Sequence, residues 1–227
     1  MHTKTIGRLA NRYAKDPIIR GLVQLIPGGI GSAADVALVT ILENIREDRA
    51  REFFDELEKG AVQLTEDSLH AYFATARAAL NTRRREKIRY FARLLTSSIS
   101  SSEISTLDEY EECLSILDEI SYRELGILVV LSRYEKEYPH QAGERDYNRR
   151  ARFWNQFSSE VCSRFSIPPG ELSSIITRLN RTGLYVTFTG YSSVAESNLS
   201  YTGRIGELTP LYRKLEKLIR LEECEFE

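Results

Sequence analysis

Pro169-Gly-Glu-Leu-Ser-Ser-Ile-Ile-Thr-Arg-Leu-Asn-Arg-Thr-Gly183-Leu-Tyr-Val-Thr-Phe-Thr189 is the stretch on which the fold turns. Pro169 suits the first turn of a helix, Leu172, Ile175, Ile176 and Leu179 recur at helical spacing, and Gly183 stands where a helix would have just ended. The other side of that helix carries Ser173, Ser174, Thr177, Arg178 and Arg181, so it is short, polar and basic. From Leu184 to Thr189 the chain switches to β-branched and aromatic residues, which read as a strand. A polar tip from Gly190 to Ser197 and a second extended run from Leu199 to Leu208 complete a hairpin. Thr209-Pro210 opens a last helix with Leu211, Leu215, Leu218, Ile219 and Leu221 on one face. Upstream, Ser121 and Glu124 form a capping box ahead of a stripe of Leu125, Leu128, Val129, Leu131 and Tyr134, ended by Pro139. Phe153, Trp154, Phe157, Val161 and Phe165 mark a second helix that stops before Pro168. From Ser121 the order is therefore helix, helix, helix, β-hairpin, helix.

In that order, and in the phrases Leu179-Asn-Arg-Thr-Gly183-Leu184 and Glu207-Leu208-Thr209-Pro210-Leu211, the C-terminal half resembles the winged-helix superfamily of bacterial regulators. The first phrase sits at the end of the recognition helix and the second at the strand-to-helix exit. The resemblance implies a DNA-binding regulator of transcription that acts as a homodimer or higher oligomer; the scattered cysteines and thin catalytic constellations described below add the expectation of a cytoplasmic, non-enzymatic protein. Its third helix would enter the major groove of duplex DNA, with Ser173, Ser174, Thr177, Arg178 and Arg181 facing base edges or phosphates and Arg204 offered by the wing. The same shape also serves protein docking. The alternative is thus an adaptor or membrane-directed effector of a bacterial defence or mobile-element system, in which the winged helix contacts protein.

Charge does not decide between these. From Ser121 onward 15 Lys and Arg face 14 Asp and Glu, and the wing carries Glu196 beside Arg204. Arg145, Arg149, Arg150 and Arg152, ahead of the second helix, would add phosphate contacts if they converge, or simply balance nearby acids. The whole chain of 227 residues has a net charge of -2, so no polybasic or polyacidic character dictates a partner. Its length suits two modest domains, read as a helical association or signal domain at 1–102, a connecting helix at 103–120 and the winged-helix-like domain at 121–227. The expected class is mainly α, with one small β-hairpin. Cys113, Cys162 and Cys224 are odd in number and scattered, which points to a reducing compartment; the first two read as small core residues, and the acidic tail should raise the pKa of Cys224. No apolar signal segment follows Met1.

The N-terminal half reads as helices. One runs from Ala34 to Lys59 and closes at Gly60, another from Thr65 through Leu80, a third from Arg83 to Ser98, and Thr106 with Glu109 caps a fourth. The serine run from Ser97 to Ser102 reads as a loop. Arg85, Arg89 and Arg93 fall on one line of the third helix, a basic stripe that suits a phosphate backbone or the acids Glu43, Glu47, Asp48, Glu52, Asp55 and Glu56 of the long helix. Between Leu22 and Leu42 the only charge is Asp35. Pro27-Gly28-Gly29 breaks that apolar segment, so residues 18–42 read as a buried hairpin of helices, with self-association through Gly29, Ala33 and Ala37 or membrane contact as the disfavoured alternative.

Catalytic constellations are thin. His2, His70 and His140 are not spaced as ligands with one another or with a cysteine, and no lysine follows the glycines at 28–31 as a phosphate loop requires. No enzyme activity, cofactor or metal is expected. Tyr122, Tyr134, Tyr138 and Tyr147 read as core and interface residues.

Overall fold

The computed structural model describes residues 33–60, 69–101, 104–188, 205–221 and Phe226, with side chains from Ile45 onward except those of Leu69 and Pro169. Contacts divide the chain into Met1–Asn44 and Ile45–Glu227, and every described side chain belongs to the second unit. The described residues are mainly helical, with one small two-stranded hairpin. The elements are α1 (Ala33–Lys59), α2 (Leu69–Asn81), α3 (Arg85–Ser100), α4 (Leu107–Glu119), α5 (Tyr122–Glu137), α6 (Asp146–Arg164), α7 (Pro169–Arg181), β1 (Tyr185–Thr187), β2 (Gly206–Leu208) and α8 (Pro210–Ile219). β1 and β2 pair antiparallel, with Tyr185 opposite Leu208 and Thr187 opposite Gly206.

The core is built around α5. Sequence periodicity suggests one apolar stripe, but residues 125 to 131 are all buried, because other elements pack against several sides of the helix. Tyr134 stacks on Phe153 of α6, and Ser132 donates to Glu216 of α8 at 3.0 Å. Gly126 admits Phe165, whose ring would stand 2.6 Å from a Cβ at that position. The helix starts with the expected capping box: the Ser121 hydroxyl accepts from the Glu124 N–H, and the Glu124 carboxylate accepts from the Ser121 N–H.

Several elements differ from their sequence reading. The serine run is helical as far as Ser100, not a loop. Ser98, Ser100 and Ser101 donate their hydroxyls to carbonyls of the preceding turn, and Ser97 donates to Leu218 of α8 at 2.8 Å, so the serines satisfy a helix end from within. At α4, Thr106 accepts from the Glu109 N–H, while the Glu109 carboxylate takes the Ser105 N–H and Lys214 in place of the reciprocal bond to Thr106. Helix α6 begins at Asp146, well before the aromatic run, so Arg149, Arg150 and Arg152 are helical residues. The expected start near Thr65, the hairpin tip and residues 18–32 lie outside the described residues. Among those described, no helix is long and apolar enough to cross a membrane.

Helix α8 returns to α3. Thr209 caps its start by accepting from the Tyr212 N–H, and Arg220 ends it in the left-handed conformation at φ +50. Arg93 of α3 donates to the carbonyls of Ile219 and Arg220, placing a cation on the carbonyl end of the helix, where the macrodipole favours it.

Candidate nucleic-acid interface

Helix α7 buries Leu172, Ile175, Ile176 and Leu179 and exposes Ser173, Ser174, Arg178, Asn180 and Arg181, with Thr177 half-buried. Gly183, at φ +75, turns the chain out of the helix in a conformation that a side chain resists. Asn180 Oδ1 then accepts from the Thr187 N–H at 3.1 Å, fixing the end of the helix against β1. This bond was not legible in the sequence, where Asn180 stands only within the phrase Leu179-Asn-Arg-Thr-Gly183-Leu184.

The expected contact residues divide by what they already hold. Ser173 and Ser174 are exposed. The Thr177 hydroxyl donates to the Ser173 carbonyl one turn back, at 2.7 Å. Arg178 reaches Glu124 of α5, Nε to Oε1 at 2.5 Å, yet its side chain keeps 50% of its surface, so the guanidinium is anchored at one nitrogen and open at its outer edge. Arg181 is exposed and makes no ion pair among the described residues. Arg204 lies outside them.

Glu124 is the acid that sequence reasoning missed here, because it reads as a helix cap and nothing more. It is 3% exposed. Burial pushes its carboxyl up, but hydrogen bonds from Ser121 and Arg178 and the charge of Arg178 more than offset that, so its pKa falls below the usual carboxylate range. It therefore stays ionised at neutral pH and ties the start of α5 to α7.

The other cationic groups are largely consumed inside the unit. Arg89 pairs with Glu52 at 3.1 Å and Arg93 with Glu56 at 2.8 Å, so α1 supplies the acidic partners for two of the three stripe residues; Arg85 remains exposed. Arg149 donates to the carbonyls of Tyr138 and Glu135, and Arg152 pairs with Glu144 at 2.9 Å. Arg150 is 2% exposed and bridges Glu135 of α5, at 3.1 Å, and Glu207 of β2, at 3.0 Å. Glu135 also receives Arg213 of α8 and accepts from the Leu208 N–H at 3.1 Å. Arg149, Arg150 and Arg213 thus tie α5, α6, β2 and α8 together. Of Arg145, Arg149, Arg150 and Arg152, only Arg145 is exposed without an ion pair among the described residues.

Other chemistry is sparse. His70 and His140 sit in exposed pairs with Glu111 and Asp146, and no group of His, Cys, Asp and Glu able to hold a metal occurs among the described residues. Burial raises the thiol pKa of both Cys113 and Cys162, although Cys162 is only half-buried. Tyr134 and Tyr138 stack within the aromatic core. Protein-family models, curated proteins and solved structures contain no match to this chain.

Proposed function

We propose that residues 121–221 form a winged-helix-like module that binds duplex DNA through the outer face of α7, as part of a regulatory homodimer or higher oligomer. The observation that carries this reading is the helix itself. It is the third in its run, immediately precedes a two-stranded hairpin, and is held from behind by four aliphatic residues while its serines and arginines face solvent. Ser173 and Ser174 offer hydroxyls to phosphate or base edges, Arg181 offers a free guanidinium, and Arg178 offers the outer edge of one that Glu124 holds in place. Light scattering tests for the dimer that a palindromic site requires. Arg178→Ala with Arg181→Ala should abolish most duplex binding in a gel-shift series while leaving the helical circular dichroism of the protein unchanged.

A second reading has one specific observation behind it. Glu124 cancels the charge of Arg178, and the arginines of α6 and α3 are largely spent on internal acids, which favours a face of serines meeting protein. In that case the module is an adaptor, and wild-type protein shows no duplex binding even at low salt.

A further inference from the structure

Arg178 and Arg181 both face outward from α7, and only one of them has an acid behind it. Arg178 donates its Nε to Glu124 Oε1 at 2.5 Å, while Arg181 makes no ion pair among the described residues. The acid is itself fixed. Glu124 Oε2 accepts from the Ser121 N–H at 2.9 Å and from the Ser121 hydroxyl at 2.6 Å, and the Glu124 side chain keeps only 4% of its surface. Both carboxylate oxygens are therefore committed, one to the cap of α5 and one to Arg178, so the carboxylate cannot swing without breaking the cap. The guanidinium inherits that fixity. Its Nε is bound on the inner side and half of the side chain stays exposed, which leaves the terminal nitrogens as donors whose plane is set by the protein.

An acid at this distance changes what an arginine is suited to. A phosphate asks mainly for net positive charge, and Glu124 cancels that of Arg178. A guanine asks for two N–H donors in a fixed plane, aimed at O6 and N7 in the major groove. The bond through Nε keeps those donors and removes much of the side-chain freedom that would otherwise be lost on binding. Arg181, with no acid behind it, has the charge for a phosphate and lacks the orientation for a base. Ser174 stands one turn before Arg178 and is exposed, so the fixed guanidinium borders a short side chain that lets a base edge approach.

Resting on the DNA reading above, we propose that Arg178 is the specificity-determining residue of α7, that it reads a guanine in the major groove, and that Glu124 is the positioning residue that aims it. Arg181 supplies phosphate attraction and no discrimination.

Wild-type protein is used to select bound duplexes from a pool randomised at its centre, and each G·C pair of the selected duplex is then changed in turn to A·T, which keeps N7 and puts an amino donor where O6 was. At one position the change should weaken wild-type binding at least ~5-fold, the low end for a bidentate contact. Arg178→Ala should bind the two duplexes alike, and Arg181→Ala should bind both more weakly while keeping their ratio. Glu124→Gln separates aiming from support: its one carbonyl oxygen serves the Ser121 cap only by turning the amide NH2 towards Arg178, so the arginine keeps its charge and loses its fixed plane. The ratio should then shrink while the slope of log affinity against log salt steepens by up to about 0.9, as an unpaired cation adds a phosphate contact. A variant that had merely loosened the fold would lose affinity without a steeper slope, and that result overturns the role of Glu124. Wild type for which every G·C change costs less than ~2-fold, or Arg178→Ala that keeps the ratio, overturns the inference and leaves the DNA reading standing. Wild type that enriches no duplex from the pool overturns both.

Discussion

Helices α3 and α7 both carry arginines at helical spacing, and they put them to opposite uses. On α3, Arg89 and Arg93 turn to Glu52 and Glu56 of α1, and Arg93 also closes the carbonyl end of α8. On α7, Arg178 meets one carboxylate and remains half open, and Arg181 meets none among the described residues. The difference lies in what is packed alongside. An acidic helix face meets the stripe of α3, whereas the serines next to Arg178 stay exposed. A run of cations in a sequence is a supply of charge; whether it becomes a surface depends on partners far away along the chain.

The largest effect should come from the deepest of these pairs. Glu135→Ala leaves buried Arg150 with Glu207 as its one acid among the described residues, and removes a partner of Arg213 and of the Leu208 N–H; breaking one side of a buried ion pair costs about 3–5 kcal/mol. Urea unfolding measures it, and a loss under about 1 kcal/mol would mean that Arg150 is not held as described. Next comes the stripe. Arg93→Ala removes the bond to Glu56 and the cap on α8, with an expected cost of about 1.5–3 kcal/mol, whereas Arg181→Ala should stay within about 0.5 kcal/mol. Equal costs for the two arginines would erase the contrast between the helices.

Acid should weaken the internal ties of both helices together. Glu56 and Glu124 have depressed pKa values: burial opposes this in each, while Lys59 and Arg93 for the one, and Ser121 and Arg178 for the other, more than offset it. A carboxylate whose pKa is lower folded than unfolded contributes stability above its unfolded value, about 4.3, and loses it as pH falls through the folded value. Thermal midpoints should therefore hold from neutral pH to about 5 and drop below about 4. Glu124→Gln retains a side chain able to cap α5 but has no proton to gain, so its acid limb should be shallower than that of wild type. An identical limb would show that Glu124 does not sense the charge of Arg178.

Much of the scaffold was legible because it follows from short-range order. The apolar stripe of α7, the turn at Gly183, the cap at Ser121 and the proline start of α8 each need only a few neighbouring residues to be read. The site was legible only in part. Nothing near Glu124 in the sequence announces Arg178, which stands 54 positions away, and Glu135 looks like a solvated helix charge until Arg150 and Arg213 close on it. The serines after Thr96 look like a loop because serine bonds to backbone in loops and helices alike, and the choice was made by α8 docking on Ser97. Arg149 and Arg152 looked available for phosphate for a similar reason: carbonyls at the end of α5 and the carboxylate of Glu144 claim them only once α6 has packed.

The sharpest test sets one exposed arginine from each helix against the other. Duplex affinity is measured across a series of salt concentrations for wild type, Arg181→Ala and Arg85→Ala. If α7 is the element that meets DNA, Arg181→Ala lowers the slope of log affinity against log salt by about 0.9, the share of one phosphate contact, and Arg85→Ala leaves it unchanged. A slope that moves with Arg85 and ignores Arg181, or a wild type that binds no duplex at any salt, contradicts the account.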